Sequence, residues 1–213
     1  MANSYPISTT LFLSILSTSV ALMTTSIISS SPLTTKAAAI TNPVSHHHDD
    51  YVISSGEDHG PSGGKRQQLT HLRFYWQNDA SSSPNATDVV VVQPVSNSSA
   101  FGCISMMDDP LTVGPSLGSA LVGRAQGFYA CASREAFGLL MAMNLVLLRG
   151  EYNGSSVTVL GRNEVPLKVR ELPVVGGTGV FRMATGYALL TTSFFDPAAG
   201  IAVVEYNVYI WHY

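Results

Sequence analysis

The sequence is short of charge, of cysteine and of recognisable catalytic motifs. Only 12% of its 213 residues are charged, against about 25% in an average soluble domain. A net charge of -3 without clustered lysine and arginine excludes the basic surface that nucleic-acid binding requires. The hydrophobic fraction of 46% excludes an intrinsically disordered chain, which would be rich in charge and poor in apolar residues.

The two cysteines, Cys103 and Cys131, are too few for a disulfide scaffold, so the domain must be stabilised by its core. In an oxidising compartment they could pair, but both lie in apolar runs where buried free thiols are equally plausible. Their pairing stays open. No G-x-S-x-G, H-E-x-x-H, P-loop or C-x-x-C motif is present, and we expect neither a metal site nor a cofactor. Residues 176–179, which are rich in glycine, are interpreted as a turn between strands.

The first 35 residues contain no charge, and serine and threonine interrupt their apolar run too often for a good membrane span. We interpret residues 1–39 as a signal peptide, cleaved after Ala39 or earlier, after Ala21. An uncleaved signal anchor is the alternative. Residues 40–68 are predicted to be a flexible linker because they are rich in turn-forming residues. The tract His46–Asp50 within it could bind a metal, but a solvated linker explains it better because a flexible tract fixes no ligand geometry.

Three N-x-[ST] sequons, at Asn85, Asn97 and Asn153, lie where turns are expected. Together with the signal peptide they predict a secreted glycoprotein of the extracellular space.

Residues 69–213 are predicted to form an all-β domain, because apolar alternation and β-branched residues recur between short turns. Leu72, Phe74 and Trp76 would share one face of the first strand, and Gly123 and Gly127 indicate bends or close packing. Closure of eight antiparallel strands would remove exposed edges, so an eight-stranded up-and-down β-barrel is predicted, with a β-sandwich as the alternative. The expected strands are residues 71–77, 89–92, 101–107, 119–133, 137–148, 156–160, 180–192 and 201–213. The segment 137–148 is apolar on both faces, which predicts a partner subunit outside the barrel.

Several motifs occur together in this domain and in a fixed order. They are Phe74-Tyr-Trp76, Asp108-Asp-Pro-Leu-Thr112, Val122-Gly-Arg-Ala-Gln-Gly-Phe-Tyr129, Gly150-Glu-Tyr-Asn-Gly-Ser155, Gly161-Arg-Asn163, Arg170-Glu-Leu-Pro-Val-Val-Gly-Gly-Thr-Gly-Val-Phe-Arg182 and Val203-Val-Glu-Tyr-Asn207. As a set they resemble the plant dirigent proteins from about residue 70 to the C-terminus. The resemblance implies a secreted, glycosylated eight-stranded barrel of the apoplast that assembles as a homo-oligomer, a dimer or a trimer.

The implied activity is stereoselective coupling of phenoxy radicals, such as those of coniferyl alcohol, in lignan and phenylpropanoid biosynthesis. A separate oxidase or laccase would make the radicals, so the protein itself would be a stereochemical guide and not an enzyme. Radical coupling has almost no barrier, and orientation in a dry pocket decides its outcome. A carboxylic acid could assist the ring closure that follows. No nucleic-acid or membrane partner is expected.

The sequence departs from the family pattern at the expected pocket. Gln77 and Asn78 stand where lignan-forming members carry His-Asp, and Asp79 follows. Asp79 and Asn78 are therefore the candidate catalytic residues. By the same resemblance Val180 stands where the family pattern has an aspartate and Thr185 where it has an arginine, so we expect a pocket with one acid and one cation fewer. The predicted substrate-binding residues are Phe74, Asp108, Asp109, Tyr129, Val180 and Thr185.

Each of these residues also has a structural interpretation. Asp79 could belong to a loop, Tyr129 could be a core aromatic, and Asp108 and Asp109 could fix a turn before Pro110. Arg124 is interpreted as a structural ion-pair or interface residue. The alternative functions are an isomerase or cyclase of the allene oxide cyclase type and a non-catalytic cell-wall protein that binds phenolics.

Overall fold

A computed structural model describes residues 51–57 and 67–213 of the chain. The predicted signal peptide, most of the predicted linker and the tract His46–Asp50 lie outside the described residues. No α-helix occurs among the described residues, which form ten strands and two short 3-10 turns, Gly150–Tyr152 and Gly179–Phe181. No described helix has the length and apolar composition that crossing a membrane requires. The strands are β1 (Val52–Glu57), β2 (Gln68–Asp79), β3 (Asp88–Val92), β4 (Ile104–Thr112), β5 (Leu121–Cys131), β6 (Gly138–Leu147), β7 (Ser156–Glu164), β8 (Arg170–Thr178), β9 (Thr185–Asp196) and β10 (Ile201–His212).

Eight of these strands close into an antiparallel barrel, as predicted. Strands β4 to β10 pair in sequence order, β10 pairs with β2, and β2 returns to β4. The closing contact is short, since only Tyr75 and Trp76 of β2 pair with Thr112 and Leu111 of β4. The two remaining strands lie outside this ring: β1 extends from β2, and β3 extends from β4.

The predicted strand count is right, but one member differs. Residues 89–92 form β3, which is not part of the ring, and the missing barrel strand is β8, where no strand was predicted. Residues 176–179, at its end, were interpreted as a turn because they are rich in glycine. Pairing of β8 with β7 ends at Val174, so Pro173, which has no N–H, is tolerated beyond it. The turn predicted at residues 176–179 is also corrected, because β8 runs to Thr178 and the turn begins at Gly179.

Part of the segment predicted to be a linker is strand β1. It pairs with the first half of β2, from Gln68 to Leu72, which the short β2–β4 contact leaves without a partner. Main-chain hydrogen bonding to an open edge does not require an apolar sequence, which is why the segment showed no strand pattern. Tyr51, just before β1, is buried in the core.

The barrel interior is apolar along most of its length and differs at its two ends. Leu72, Phe74 and Trp76 are all buried, as their alternation predicted. One end, called here the closed end, is filled by Tyr51, Tyr152, Phe181 and His212. The opposite end is where Asp79, Ile201 and Asp196 meet across β2, β10 and β9. We call it the polar end because buried polar side chains collect there.

The pairing of the two cysteines, which the sequence left open, is a disulfide between Cys103 and Cys131. Cys131 ends β5, and its N–H donates to the Cys103 carbonyl at 2.9 Å. The antiparallel β4–β5 register thus brings the two Cα atoms to 5.2 Å, a normal separation for a disulfide. No free cysteine occurs in the described part of the chain.

Candidate functional site

Asn78 links three strands at the polar end of the barrel. Its Nδ2 donates to Asp88 Oδ2 at 2.9 Å and to Asp109 Oδ2 at 3.1 Å. Asn78 lies two residues beyond the last β2 pair with β4, and Asp109 two residues before the matching β4 position. The Asn78 amide therefore connects β2 to β4 at a level where the two backbones no longer pair. Asp88 of β3 is its second acceptor.

Asp109 is the most strongly perturbed acid of this cluster. It is 0% exposed, and burial raises its pKa from 3.8 to about 7, although hydrogen bonds from Thr87 and Asn78 oppose the rise. Burial disfavours the charged carboxylate, and the neighbouring charge of Asp88 adds to this effect. Near neutral pH, Asp109 is therefore an interior group that can both give up and take up a proton.

Asp88 and Tyr129 form the second part of the cluster. Burial raises the pKa of Asp88, partly offset by hydrogen bonding from Asn78, Tyr129 and Ser105. Asp88 Oδ1 has no hydrogen bond of good geometry, so Tyr129 and Ser105 lie beside the carboxylate without fully satisfying it. Burial, with Asp88 nearby, also raises the pKa of Tyr129. The phenol is therefore a neutral hydrogen-bonding group at this end of the barrel.

A cation, Arg170, lies in the interior at the first position of β8. Its Nη1 donates to Thr192 Oγ1 at 2.7 Å and to the Val165 carbonyl at 3.2 Å. Arg170 Nε, the Tyr206 hydroxyl and Asn163 Oδ1 are buried and make no hydrogen bond within the protein. Burial lowers the pKa of Arg170. Burial raises the pKa of the Tyr206 hydroxyl. The charge of Arg170 opposes this rise, and the charge of Asp109 adds to it.

These unsatisfied groups have a chemical use. Arg170 and Tyr206 offer donors, while Asn163 and Asp88 offer acceptors, and all four are buried. Buried polar atoms without partners are costly in a folded protein. A ligand with hydroxyl and carbonyl or ether oxygens could satisfy them. Arg170 is thus a buried cation of the interior, while the expectation of one acid and one cation fewer than in the family pattern, drawn from Val180 and Thr185, stays a prediction.

The structure separates the predicted site residues into two groups. Phe74, Asn78, Asp109 and Tyr129 belong to the interior. Phe74 stacks on Tyr206 with ring centroids 5.9 Å apart. The roles predicted for these residues stay predictions, but their positions are compatible with a common interior site.

Asp79 and Asp108 do not join this cluster. The Asp79 carboxylate accepts a hydrogen bond from the Ser81 N–H at 2.9 Å, which is the loop role considered from sequence. Asp108 is on the outer face, where it forms an ion pair with Arg124. Burial alone would raise the pKa of Asp108, but hydrogen bonds from Arg124 and Gln126 outweigh it and lower the pKa. The alternation of β4 explains why two adjacent aspartates lie on opposite faces.

Val180 and Thr185 lie at the closed end, away from Asn78 and Asp109. Val180 is in the 3-10 turn after β8, and its N–H donates to Ser155 Oγ at 3.1 Å. Thr185 begins β9 and pairs with Trp211. Both side chains are exposed. Their predicted substrate contacts have no support from this placement.

Sequence reasoning missed Asp88, Asn163 and Arg170. Arg170 shares the alternating inward face of Leu172 and Val174, a pattern that could have revealed it had β8 been predicted. Asp88 directly precedes the β-branched block of β3, and nothing in the sequence indicates that an edge strand outside the ring delivers a carboxylate to the interior.

The described residues contain no group of three or more His, Cys, Asp or Glu side chains placed to hold a metal ion. The three sequon asparagines Asn85, Asn97 and Asn153 are all exposed.

Comparison with known proteins gives concordant matches. The family model described as "Dirigent-like protein" matches residues 69–211. Dirigent protein 21 of Arabidopsis thaliana is 51% identical over 152 residues, which cover 70% of this chain and 80% of that protein. Pterocarpan synthase 1 of Glycyrrhiza echinata is 44% identical over 155 residues, which cover 71% and 82%. The solved structure of the pterocarpan synthase dirigent protein GePTS1 superposes with a TM-score of 0.66 at 42% identity, covering 71% of this chain and 89% of that one.

Proposed function

The chain belongs to the dirigent-like family, and from this premise we propose that it imparts stereoselectivity on the coupling of phenoxy radicals, such as two coniferyl alcohol radicals, in its barrel. A separate oxidase or laccase would supply the radicals. The protein would hold them so that each presents one face to the other. No cofactor is needed for this role, because orientation and not bond activation decides the product.

One observation supports this proposal above the others. Most of the barrel interior is apolar, and its polar end holds the buried carboxyl groups of Asp88 and Asp109 together with further buried donors and acceptors that have no protein partner. A phenolic ring can be buried against apolar side chains while its oxygen atoms bond to these groups. An apolar pocket with a few placed polar anchors is the usual form of a site that fixes ligand orientation.

The chemistry after coupling gives the acid a role. Two phenoxy radicals each contribute one electron to the new C–C bond, and the product carries quinone methides. A hydroxyl group on the propenyl chain of the coupled product then attacks the quinone methide carbon and loses its proton, while the quinone methide oxygen gains one. Asp109 in its neutral form can supply the proton to that oxygen, and as a carboxylate it can take up the hydroxyl proton. No net proton or electron is consumed.

The test supplies the purified protein with coniferyl alcohol and a one-electron oxidant and analyses the dimers by chiral chromatography. We expect an enantiomeric excess with the wild type and its loss with Asp109→Asn. Asp108→Asn is the matched control, because it changes the neighbouring carboxylate on the outer face. A racemic product from the wild-type protein, identical to the protein-free reaction, would refute the proposal for this substrate.

A second candidate function is enzymatic: the protein would catalyse ring closure of a phenolic substrate without an oxidant. The observation that favours it is Asp109, whose pKa of about 7 suits a general acid near neutral pH. The similarity to pterocarpan synthases adds weight. Formation of a pterocarpan from the substrate of the related pterocarpan synthases in the absence of oxidant, abolished by Asp109→Asn but not by Asp108→Asn, would favour this activity over radical guidance.

We also propose that the protein is a homo-oligomer. Outward side chains of β5, β6 and β7 form an apolar belt, which consists of Phe128, Ala130, Leu140, Ala142 and Leu160. Leu140 is 39% and Leu160 43% exposed, and monomers rarely leave such a continuous surface uncovered. Leu160→Lys should dissociate the oligomer in analytical ultracentrifugation. Val175→Lys, at a somewhat more exposed site on β8 outside the belt, should not.

We further propose that the protein is a glycoprotein secreted to the apoplast. All three sequon asparagines are exposed and thus compatible with glycans. Expression in plant cells, followed by glycosidase treatment of the extracellular protein, should reveal a mass shift that Asn→Gln substitution at these sequons removes. Retention of an unglycosylated protein inside the cell would contradict this proposal.

A further inference from the structure

Asp109 is sealed from solvent, yet one of its oxygens contacts a residue that reaches the outer surface. Asp109 Oδ2 accepts the amide N–H of Asn78 at 3.1 Å, and Asp109 Oδ1 accepts the hydroxyl of Thr87. Thr87 is half-buried. It lies on the wall of an outer-surface depression of about 300 Å³, together with Val89 and Asp108. A single side chain thus separates the buried acid from the outside of the barrel.

The two partners of Asp109 differ in what they can do with a proton. A hydroxyl oxygen donates one hydrogen and accepts another at the same atom. It can therefore pass a proton on by giving away its own and taking up a new one. The amide nitrogen of Asn78 donates but does not accept, so it cannot relay protons between Asp109 and the rest of the interior cluster. Of these two contacts of Asp109, only the one with Thr87 can conduct a proton.

The backbone holds Thr87 firmly in this position. Its N–H donates to the Asp79 carbonyl at 2.9 Å, and its carbonyl accepts the Asp108 N–H at 2.9 Å. These bonds connect the end of β2 with β4 directly beside Asp109. The hydroxyl is therefore placed at the buried carboxyl by main-chain contacts on both sides and does not depend on a mobile loop.

We propose that Thr87 is the proton relay between solvent in this depression and the buried carboxyl of Asp109. In the loading step, the Thr87 hydroxyl passes its hydrogen to the Asp109 carboxylate and takes one from a protonated water on the outer side. The reverse sequence unloads the acid. Loading transfers one proton inward: the carboxylate and the protonated water both become neutral, and Thr87 regains the hydrogen that it gave. Asp109 could thus be recharged while the barrel interior is filled by a ligand.

The relay can be tested without any substrate, by hydrogen–deuterium exchange at the Asp109 carboxyl followed by infrared spectroscopy. The protonated carboxyl band is assigned by its absence in Asp109→Asn. Exchange is measured after mixing into D2O at about pH 5, below the pKa of about 7. We expect Thr87→Val, which has the same shape without the hydroxyl, to slow exchange at least about tenfold. Thr87→Ser keeps the hydroxyl and lacks the methyl group, and it should exchange at the wild-type rate. If the threonine methyl had only a structural role, Thr87→Ser would not do so.

Thr87 is also the third residue of the Asn85 sequon, so Thr87→Val would remove any glycan there. Asn85→Gln is the matched control and should exchange at the wild-type rate. Equal exchange rates in the wild type and a folded Thr87→Val would overturn the relay.

A second variant covers the case in which Thr87→Val does not fold. Val89 is 52% exposed beside Thr87, and Val89→Trp would fill the depression while leaving the hydroxyl in place. It should also slow exchange, and an unchanged rate would contradict the outer route. The use of the relay rests on the proposed role of Asp109 as an acid, but its existence does not. If the protein does not direct coupling but the variants change the exchange rate as expected, only the proposed function is refuted. If the protein directs coupling but Thr87→Val exchanges at the wild-type rate, only the relay is refuted.

Discussion

The raised pKa of Asp109 predicts an unusual pH dependence of folding stability. In the unfolded chain this carboxyl has an ordinary pKa of 3.8, and in the folded protein its pKa is about 7. The folded state therefore binds the proton more tightly. Below about pH 4 both states are protonated and Asp109 imposes no cost. Between about pH 4 and 7 the unfolded chain ionises freely while the folded chain holds its proton, so stability falls as pH rises and levels off above about 7.

The size of the effect follows from the two pKa values. They differ by roughly three pH units, and each unit corresponds to about 1.36 kcal/mol, so Asp109 lowers the free energy of unfolding by about 4 kcal/mol at high pH. Asp88, whose pKa is also raised, acts in the same direction. Asp108 and Glu205, whose pKa values are lowered, act in the opposite one and lose their contribution as pH falls. A comparison with a variant is therefore needed to isolate Asp109.

Asp109→Asn is that variant, because an amide keeps the shape of the side chain and does not titrate. Urea unfolding of both proteins would be followed by tryptophan fluorescence between about pH 4 and 8. The stability of the wild type relative to Asp109→Asn should fall by about 3–4 kcal/mol across this range. Asp108→Asn, on the outer face, should leave the downward slope in place. Parallel pH profiles for the wild type and Asp109→Asn would refute the assignment of the buried proton to Asp109.

Three other variants test separate parts of the structure. Asn78→Leu removes two donors to buried carboxyl groups and should cost about 2–4 kcal/mol in urea unfolding at neutral pH, while an unchanged midpoint would show that the amide bridge does not form. Replacing both Cys103 and Cys131 by alanine opens a loop with a sequence separation of 28 residues and should cost about 3–4 kcal/mol by chain entropy, measured against the wild type without reductant. Tyr206→Phe removes a buried hydroxyl that has no protein partner, so it should change stability by less than about 1 kcal/mol and still reduce the enantiomeric excess of coupling.

The barrel could be predicted from sequence because its signals are local. Alternation placed Leu72, Phe74 and Trp76 on one face, and all three are buried. Gly127 was expected at a close approach, and a Cβ there would lie 2.2 Å from the Ala142 carbonyl oxygen on β6. These patterns depend only on one strand and its neighbour, and the resemblance to the dirigent family rests on motifs in the same strands.

The site was harder to predict because it depends on contacts between distant segments. Arg170 was missed with β8, since a proline and two glycines are ordinarily evidence against a strand. The difference between Asp108 and Asp109 needs the register of β4, and a shift of one residue would exchange their environments. Asp79 was the preferred candidate acid and Asn78 its neighbour, and a shift of one residue likewise exchanges their faces. Only the pairing of β2 decides which of these neighbours points inward.

The location of the site follows from how the barrel closes. The other neighbouring strands of the ring pair over longer stretches, whereas β2 and β4 share only two residue pairs. Beyond Trp76 and Leu111 the two strands lack mutual backbone hydrogen bonds, and side chains take over that role. Asn78 bridges to Asp88 and Asp109, and Thr87 fixes the second Asp109 oxygen. An uninterrupted ladder would satisfy its backbone groups without such side chains. The incomplete closure therefore accounts both for the buried acids at this end and for the single hydroxyl through which one of them reaches the surface.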